Sequence, residues 1–201
     1  MGLWLAAIPL VLASASAVRR RLLEAAGIPV DVRPADLDER AVEASVPSNN
    51  PSAVAALLAR EKALQVTATV PGRLVVGADQ TLALGDRRFD KPGDRAAARA
   101  QLQALAGRTH ELHAAVAVAR DRRVLFEHVA IARLTMRPLT DTVLDRYVEA
   151  AGAAVTASIG GYQLEALGVH LFERVDGDHF TILGLPLLPL LAYLRAEGSL
   201  A

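Results

Sequence analysis

Residues 8–20, with the sequence IPLVLASASAVRR, place a continuous apolar run directly before small polar residues and a pair of arginines. An apolar run such as that from Ile8 to Ala13 is typical of a β-strand that is buried on both faces. A helix is expected to follow, with a serine near its start and Gly27 at its C-terminal end. The stretch therefore predicts the strand–loop–helix junction with which an α/β fold begins.

Ser14 and Arg19 lie at this predicted junction. Backbone N–H groups and the helix dipole favour an anion there, and an arginine can bind phosphate oxygens through two parallel hydrogen bonds. The same spacing also fits a capped helix with a solvated basic face. A Walker loop is excluded, because its glycines and its Lys-Ser/Thr pair are missing.

The apolar N-terminus admits a second interpretation, the core of a secretory signal followed by small residues. A signal peptide carries Lys or Arg before its apolar core, whereas Arg19, Arg20 and Arg21 come after it. We therefore favour a buried strand and expect a cytoplasmic protein. Export would instead predict a mature chain that starts after Ala17.

Composition narrows the classes of function. The chain has 201 residues, with 22 Lys and Arg against 22 Asp and Glu and no Cys. This balance removes the electrostatic case for a nucleic acid or an anionic membrane as partner. The absence of Cys excludes a disulfide scaffold and a cysteine nucleophile. Mean hydropathy is +0.28, yet no run approaches the roughly 18 to 20 apolar residues of a membrane span.

Helices and strands alternate along the remainder of the chain. Two long strands, 109–119 and 123–135, are predicted to pair across Asp121 and Arg122, which indicates a mixed sheet. The fold class is therefore α/β with a mixed sheet, and no linker divides the chain into separate domains.

Further expectations concern individual elements along the chain. Residues 33–50 are predicted to form a long polar loop, and a helix is predicted from Pro51 towards Val66. The strand at 74–78 is predicted to end at Asp79, and Gly85-Asp86 is predicted to form a turn between 81–84 and 87–89. The C-terminal region is predicted to contain a hairpin, 169–175 with 179–183, followed by a helix from Leu187 to Arg195.

Asp79 attracts attention because it follows an apolar strand directly. Ligands of α/β sheets bind at the carboxyl ends of strands, so an acid there is a candidate metal ligand or general base. A turn-forming Asp is the common alternative. Glu39, beside Asp38, could supply a second carboxylate to a hard cation such as Mg²⁺.

Lys62 and Lys91 are compact charges suited to phosphate, although most lysines are surface residues. Glu165 lies in a polar insertion, 162–168, where a carboxylate could bind the edge of a base. The five His residues lack the spacing of an HExxH site. The Gly-x-Ser-x-Gly turn of an acyl-transfer hydrolase is also missing.

The order of these features resembles the Maf family of nucleoside triphosphate pyrophosphatases, from about residue 8 to residue 195. Seven short segments carry the resemblance: Leu12-Ala13-Ser14-Ala15-Ser16 with Arg19, Asp38-Glu39, Glu61-Lys62-Ala63, Gly77-Ala78-Asp79, Lys91-Pro92, Gly107-Arg108-Thr109-His110 and Gly184-Leu185-Pro186.

The resemblance implies one Maf-like domain over residues 1–201. It implies two lobes, similar to inosine triphosphate pyrophosphatase, with a nucleotide in the central cleft. Hydrolysis in such proteins releases a nucleoside monophosphate and pyrophosphate. A homodimer is a family-level expectation.

The resemblance also implies roles for individual residues. Asp79 is the implied proton acceptor, and Glu39 and Asp79 are the implied ligands of Mg²⁺ or Mn²⁺. The residues implied to hold the triphosphate are Ser14, Arg19, Lys62 and Lys91.

Three positions bear on the choice of base: Val18, Gln80 and Glu165. Gln80 and Glu165 resemble the 7-methyl-GTP pyrophosphatase subgroup, whereas Val18 stands where that subgroup usually carries Trp. A carboxylate such as that of Glu165 can accept two N–H groups from a guanine edge. The alternatives are a dTTP/UTP-type pyrophosphatase and a non-catalytic nucleotide-binding regulator of cell division.

Overall fold

The computed structural model describes residues 2–44 and 50–201. Its elements, in chain order, are β1 (Leu10–Leu12), α1 (Ala17–Ala25), β2 (Val30–Val32), α2 (Glu39–Ala44), α3 (Pro51–Thr67), β3 (Val75–Leu84), β4 (Arg87–Phe89), α4 (Arg95–Leu105), β5 (Thr109–Arg120), β6 (Arg123–Met136), α5 (Asp141–Ala151), α6 (Ala154–Ala157), β7 (Phe172–Asp176), α7 (His179–Ile182) and α8 (Leu187–Ala196). Two 3₁₀ turns, Ile159–Gly161 and Leu167–Leu171, precede β7.

The chain divides into two compact units. The first unit comprises the chain up to Gln80 together with His113–Ala130 and His179–Ala201. The second unit comprises Thr81–Leu112 and Ile131–Asp178. The long strands β3, β5 and β6 each contribute residues to both units.

The strands pair in the order β2-β1-β3-β5-β6-β7, and β4 pairs with β3. β1 is parallel to β2 and to β3, whereas the β3–β4 and β6–β7 pairs are antiparallel. The predicted α/β class and mixed sheet are therefore confirmed. Positive φ angles at Asp121 (50°) and Arg122 (62°) suit the tight turn predicted between β5 and β6.

The predicted buried strand at the N-terminus is confirmed as β1 over Leu10–Leu12, whereas Ile8, predicted to be part of it, lies outside the strand and is 49% exposed. The residues of β1 alternate between two core clusters of the first unit, as the two faces of a strand require. Leu10 and Leu12 pack in the cluster that contains α8, and Val11 packs in the cluster that contains α3. β1 is therefore covered on both sides, which explains its continuous apolar sequence.

Capping side chains fix several helices where the sequence predicts them. Ser16 accepts a hydrogen bond from the Arg19 N–H, and Asn50 caps α3 with Pro51 in its first turn. Each cap satisfies backbone donors that a helix start leaves without an intrahelical partner.

The prediction that a strand ends at Asp79 is wrong. β3 continues to Leu84, and its distal part pairs with β4, with Leu82 opposite Phe89. Because β4 provides backbone hydrogen-bond partners for the residues after Gln80, the strand continues, and Asp79-Gln80 lies inside it. Asp79 therefore points from the face of a strand and not from its end.

The prediction of a continuous loop over 33–50 is wrong at 39–44, which form α2. The Asp38 carboxylate accepts a hydrogen bond from the Ala41 N–H at 3.1 Å and so caps the N-terminus of α2. Residues 45–49 of that prediction lie outside the described residues.

The predicted C-terminal hairpin is also wrong. β7 pairs with β6, with Arg133 opposite Asp176, and 179–182 form the short helix α7. β6 offers a long strand with which β7 can pair, so no second hairpin strand is required. The predicted final helix is confirmed as α8. Within residues 2–44 and 50–201, no helix combines the length and the apolar character needed to cross a membrane.

Candidate active site

Ser14 and Arg19 are in contact at the junction between β1 and α1, where the sequence predicts them. Arg19 donates from Nη1 to Ser14 Oγ at 3.2 Å and to the Ala78 carbonyl at 2.7 Å. Its Nε donates to the Gly184 carbonyl at 2.8 Å. Three separate segments of the first unit therefore hold the guanidinium in one orientation.

Burial lowers the pKa of Arg19, while the Asp79 and Glu39 carboxylates act in the opposite direction. A guanidinium remains protonated under these conditions. Arg19 therefore supplies a fixed positive charge close to both carboxylates.

Gln80 is hydrogen-bonded to the segment 181–184, which also contacts Arg19. Its side-chain Nε2 donates to the carbonyls of Thr181 and Ile182, each at 3.1 Å. Arg19 binds the Gly184 carbonyl of the same segment, where φ is +85°. Gln80 and Arg19 together fix this turn, and the Gln80 amide nitrogen is committed to it.

Lys62 and Asp79 form a buried ion pair between α3 and β3. Lys62 Nζ lies 2.6 Å from Asp79 Oδ1 and 2.7 Å from Glu39 Oε1. Lys62 and Asp79 are each 8% exposed, whereas the Glu39 side chain is 51% exposed. The Lys62–Asp79 pair is therefore almost wholly buried, and Glu39 is the member of the three that is exposed to solvent.

Gly77 explains how α3 comes close enough to β3 to form this pair. A Cβ atom at Gly77 would lie 2.0 Å from the Ala59 carbonyl oxygen and 2.7 Å from the Ala63 nitrogen. Only a residue without a side chain allows this approach of backbone to backbone. Gly77 therefore sets the distance between the two chains that carry Lys62 and Asp79.

Opposing effects act on the pKa of the Asp79 carboxyl group. Burial raises its pKa, and the charges of Lys62 and Arg19 oppose this effect. A carboxylate with a raised pKa is a better proton acceptor at neutral pH than one in water. The environment of Asp79 therefore suits acid–base chemistry.

The structure brings five predicted residues together in the first unit: Ser14, Arg19, Glu39, Lys62 and Asp79. Val18 is half-buried on α1. Lys91 and Glu165 are exposed residues of the second unit. Their roles stay predictions, as do those of the other site residues.

The sequence patterns indicate no role for Gly77 and Gly184, although both stand in segments that carry the family resemblance. The signal that could have found Gly77 is a glycine inside an apolar strand, which often marks a close approach of backbone. Gly184 contributes a carbonyl to Arg19, a contact across 165 positions that local sequence does not show.

The donor set fits a hard divalent cation. Glu39 and Asp79 converge on a single positive charge, that of Lys62, so a cation can be shared by the same oxygens. Mg²⁺ is commonly bound by one or two protein carboxylates, with water and substrate phosphates as its other ligands. No group of three or more His, Cys, Asp or Glu suited to a metal is found among the residues that the structure describes.

A mixed α/β fold with a buried acid–base cluster on the face of its sheet defines the class of protein as an α/β enzyme. The sequence profile of Maf-like proteins matches residues 9–197, and the chain belongs to the Maf family.

Similar proteins span the whole chain. A Rhodopseudomonas palustris protein named nucleoside triphosphate pyrophosphatase is 56% identical over 201 residues, which is 100% of both chains. A Rhizobium etli protein named 7-methyl-GTP pyrophosphatase is 51% identical and covers 95% of this chain and 97% of its own. The solved structure of a HAM1 protein from Coxiella burnetii covers 64% of this chain and 73% of its own, with 16% identity and a TM-score of 0.42.

Proposed function

We propose that this protein hydrolyses a modified nucleoside triphosphate, with a 7-methyl-GTP-like purine preferred, to the nucleoside monophosphate and pyrophosphate. Because the chain belongs to the Maf family, it is a hydrolase of the nucleoside triphosphate pyrophosphatase class. The observation that carries the mechanism is the buried Lys62–Asp79 pair with Glu39 at its solvent side.

In the proposed reaction, Asp79 orients a water molecule and accepts a proton from it. The water oxygen attacks the α-phosphorus, the bond from that phosphorus to the oxygen bridging to the β-phosphorus breaks, and pyrophosphate leaves. The raised pKa that burial gives Asp79 supports this role. A single positioned base of this kind contributes about 10²- to 10⁴-fold to a rate.

Cationic side chains stabilise the charge of the phosphates. Ser14, Arg19, Lys62 and Lys91 are the proposed binding residues, and the fixed guanidinium of Arg19 needs no reorganisation when substrate arrives. Glu39 and Asp79 would hold Mg²⁺ or Mn²⁺, which when bound supplies further positive charge beside the phosphoryl oxygens.

The preference for a 7-methyl-GTP-like base rests on Glu165 and on the Rhizobium etli relative. An exposed carboxylate can accept hydrogen bonds from N1–H and the exocyclic amine of guanine, groups that uracil and thymine do not offer in that arrangement. The positive charge that methylation places on the base is also favourable beside Glu165. Gln80 supports the site by holding the 181–184 turn.

A panel of nucleotides tests the function. Purified protein is incubated with Mg²⁺ or Mn²⁺ and each of 7-methyl-GTP, GTP, dTTP, UTP and ITP, and released pyrophosphate is measured. We expect turnover to be fastest with 7-methyl-GTP. Fastest turnover with dTTP or UTP would contradict the proposed base, and binding without turnover would support a non-catalytic regulator.

A further inference from the structure

Lys62 occupies the position at which the Glu39 and Asp79 carboxylates converge. Its ammonium lies 2.7 Å from Glu39 Oε1 and 2.6 Å from Asp79 Oδ1. A divalent cation bound through the same two oxygens would need the carboxylate charges that the ammonium now neutralises. One ammonium and one divalent cation therefore compete for one pair of ligands.

We propose that Lys62 is an internal counter-ion, which closes the cation site in the nucleotide-free protein and releases it when a triphosphate draws the ammonium away. This inference rests on the proposed function, because the nucleotide phosphates are the alternative partner of Lys62. The role differs from simple phosphate binding, since it makes one residue control the binding of two ligands.

The cluster of Glu39, Lys62 and Asp79 contains two negative charges, which explains why a counter-ion is needed. Asp79 is buried beside Glu39, and two neighbouring carboxylates with no cation would each raise the cost of ionising the other. The Lys62 ammonium offsets both charges. Its flexible four-carbon stem allows Nζ to move without a change in α3.

A triphosphate changes this balance because it brings several negative charges to the same ammonium. When Lys62 moves to the phosphates, Glu39 and Asp79 lose their counter-ion and become available to the divalent cation. Nucleotide and cation therefore assist each other, and by thermodynamic linkage the coupling is the same in both directions.

Binding of Mn²⁺ without nucleotide tests the proposal. Free Mn²⁺ is quantified by electron paramagnetic resonance in titrations of the wild type, Lys62→Met and Arg60→Met. Arg60→Met is the matched control, because it removes one positive charge from α3 while Arg60 pairs with Glu127 and not with the cluster.

Lys62→Met is expected to bind Mn²⁺ on the order of tenfold more tightly than the wild type, because the ammonium that competes for the same two oxygens has been removed. Arg60→Met is expected to match the wild type. Equal or weaker binding by Lys62→Met would overturn the proposal. If Lys62→Met does not unfold cooperatively, Lys62→Gln, which keeps a polar side chain without the charge, provides the same comparison.

A second titration uses a nucleotide analogue with a methylene group between the α- and β-phosphorus atoms. The analogue should increase the Mn²⁺ affinity of the wild type by a larger factor than that of Lys62→Met. An equal factor in both proteins would also overturn the proposal. The first titration contains no nucleotide, so its outcome is independent of whether the wild type releases pyrophosphate.

Discussion

Glu165 is the residue on which the proposed choice of base depends. Glu165→Gln keeps the size of the side chain but replaces one acceptor oxygen with a donor, which opposes the N–H groups of a guanine edge. We expect kcat/KM for 7-methyl-GTP to fall about tenfold or more, with little change for UTP. Pyrophosphate release on both nucleotides provides the measurement. Glu173→Gln, at another exposed glutamate of the second unit, is the matched control.

Single residues differ in how far the sequence reveals them. Asp79, Lys62, Glu39 and Arg19 stand in short segments whose order along the chain is specific, so they can be nominated without a structure. Gln80 shows the limit, because its amide binds carbonyls about a hundred positions away. Its position beside Asp79 suggests a contact to the base, while the hydrogen bonds show a support for the turn that holds Arg19.

At the scale of elements, the contact of α3 with β3 determines whether the ion pair can form. Gly77→Ala would place a methyl group against the Ala59 carbonyl oxygen and the Ala63 nitrogen. We expect it to lower the free energy of unfolding by at least about 3 kcal/mol, because backbone atoms cannot move aside as a flexible side chain can. Denaturant unfolding followed by circular dichroism measures this loss.

Gly93→Ala is the matched control for this substitution. A Cβ atom there would meet nothing within 4 Å, so the free energy of unfolding should change by no more than about 0.5 kcal/mol. Equal stability of the two variants would contradict the close packing of α3 on β3.

Elements that depend on local signals are predicted well, and those that depend on distant pairing are not. The cap at Ser16, the proline of α3 and the tight turn between β5 and β6 all act over a few residues. The turn at Gly85-Asp86 likewise indicates the β3–β4 hairpin, in which Leu82 lies opposite Phe89. The continuity of β3 through Asp79 and the pairing of β7 with β6 are not visible in such local signals.

At the scale of the whole molecule, His110 makes stability depend on pH. It is fully buried, with Nε2 2.7 Å from the Tyr162 hydroxyl, and burial lowers its pKa to about 4. Between pH 6.5, its ordinary pKa, and pH 4, His110 is protonated in the unfolded chain but stays neutral in the folded chain. The stability that neutral His110 allows is therefore fully present above pH 6.5, and the free energy of unfolding falls as the pH is lowered towards 4.

The size of this effect follows from the shift of the pKa. About 2.5 units correspond to about 3 kcal/mol between the two ends of the interval. His110→Gln should flatten the dependence of the unfolding free energy on pH over that range, measured by urea denaturation at several pH values. The same substitution at exposed His179 is the control. An unchanged slope in His110→Gln would contradict the assignment.

Asp79 is proposed to activate water for attack on the α-phosphorus. The most direct measurement is hydrolysis of 7-methyl-GTP in ¹⁸O-labelled water by the wild type and by Asp79→Asn, with the products separated by mass. We predict pyrophosphate without label, nucleoside monophosphate carrying one ¹⁸O, and a rate at least about 100-fold lower in Asp79→Asn. Label in pyrophosphate, or release of orthophosphate with a nucleoside diphosphate, would rule out attack on the α-phosphorus. An undiminished rate in Asp79→Asn would rule out Asp79 as the base.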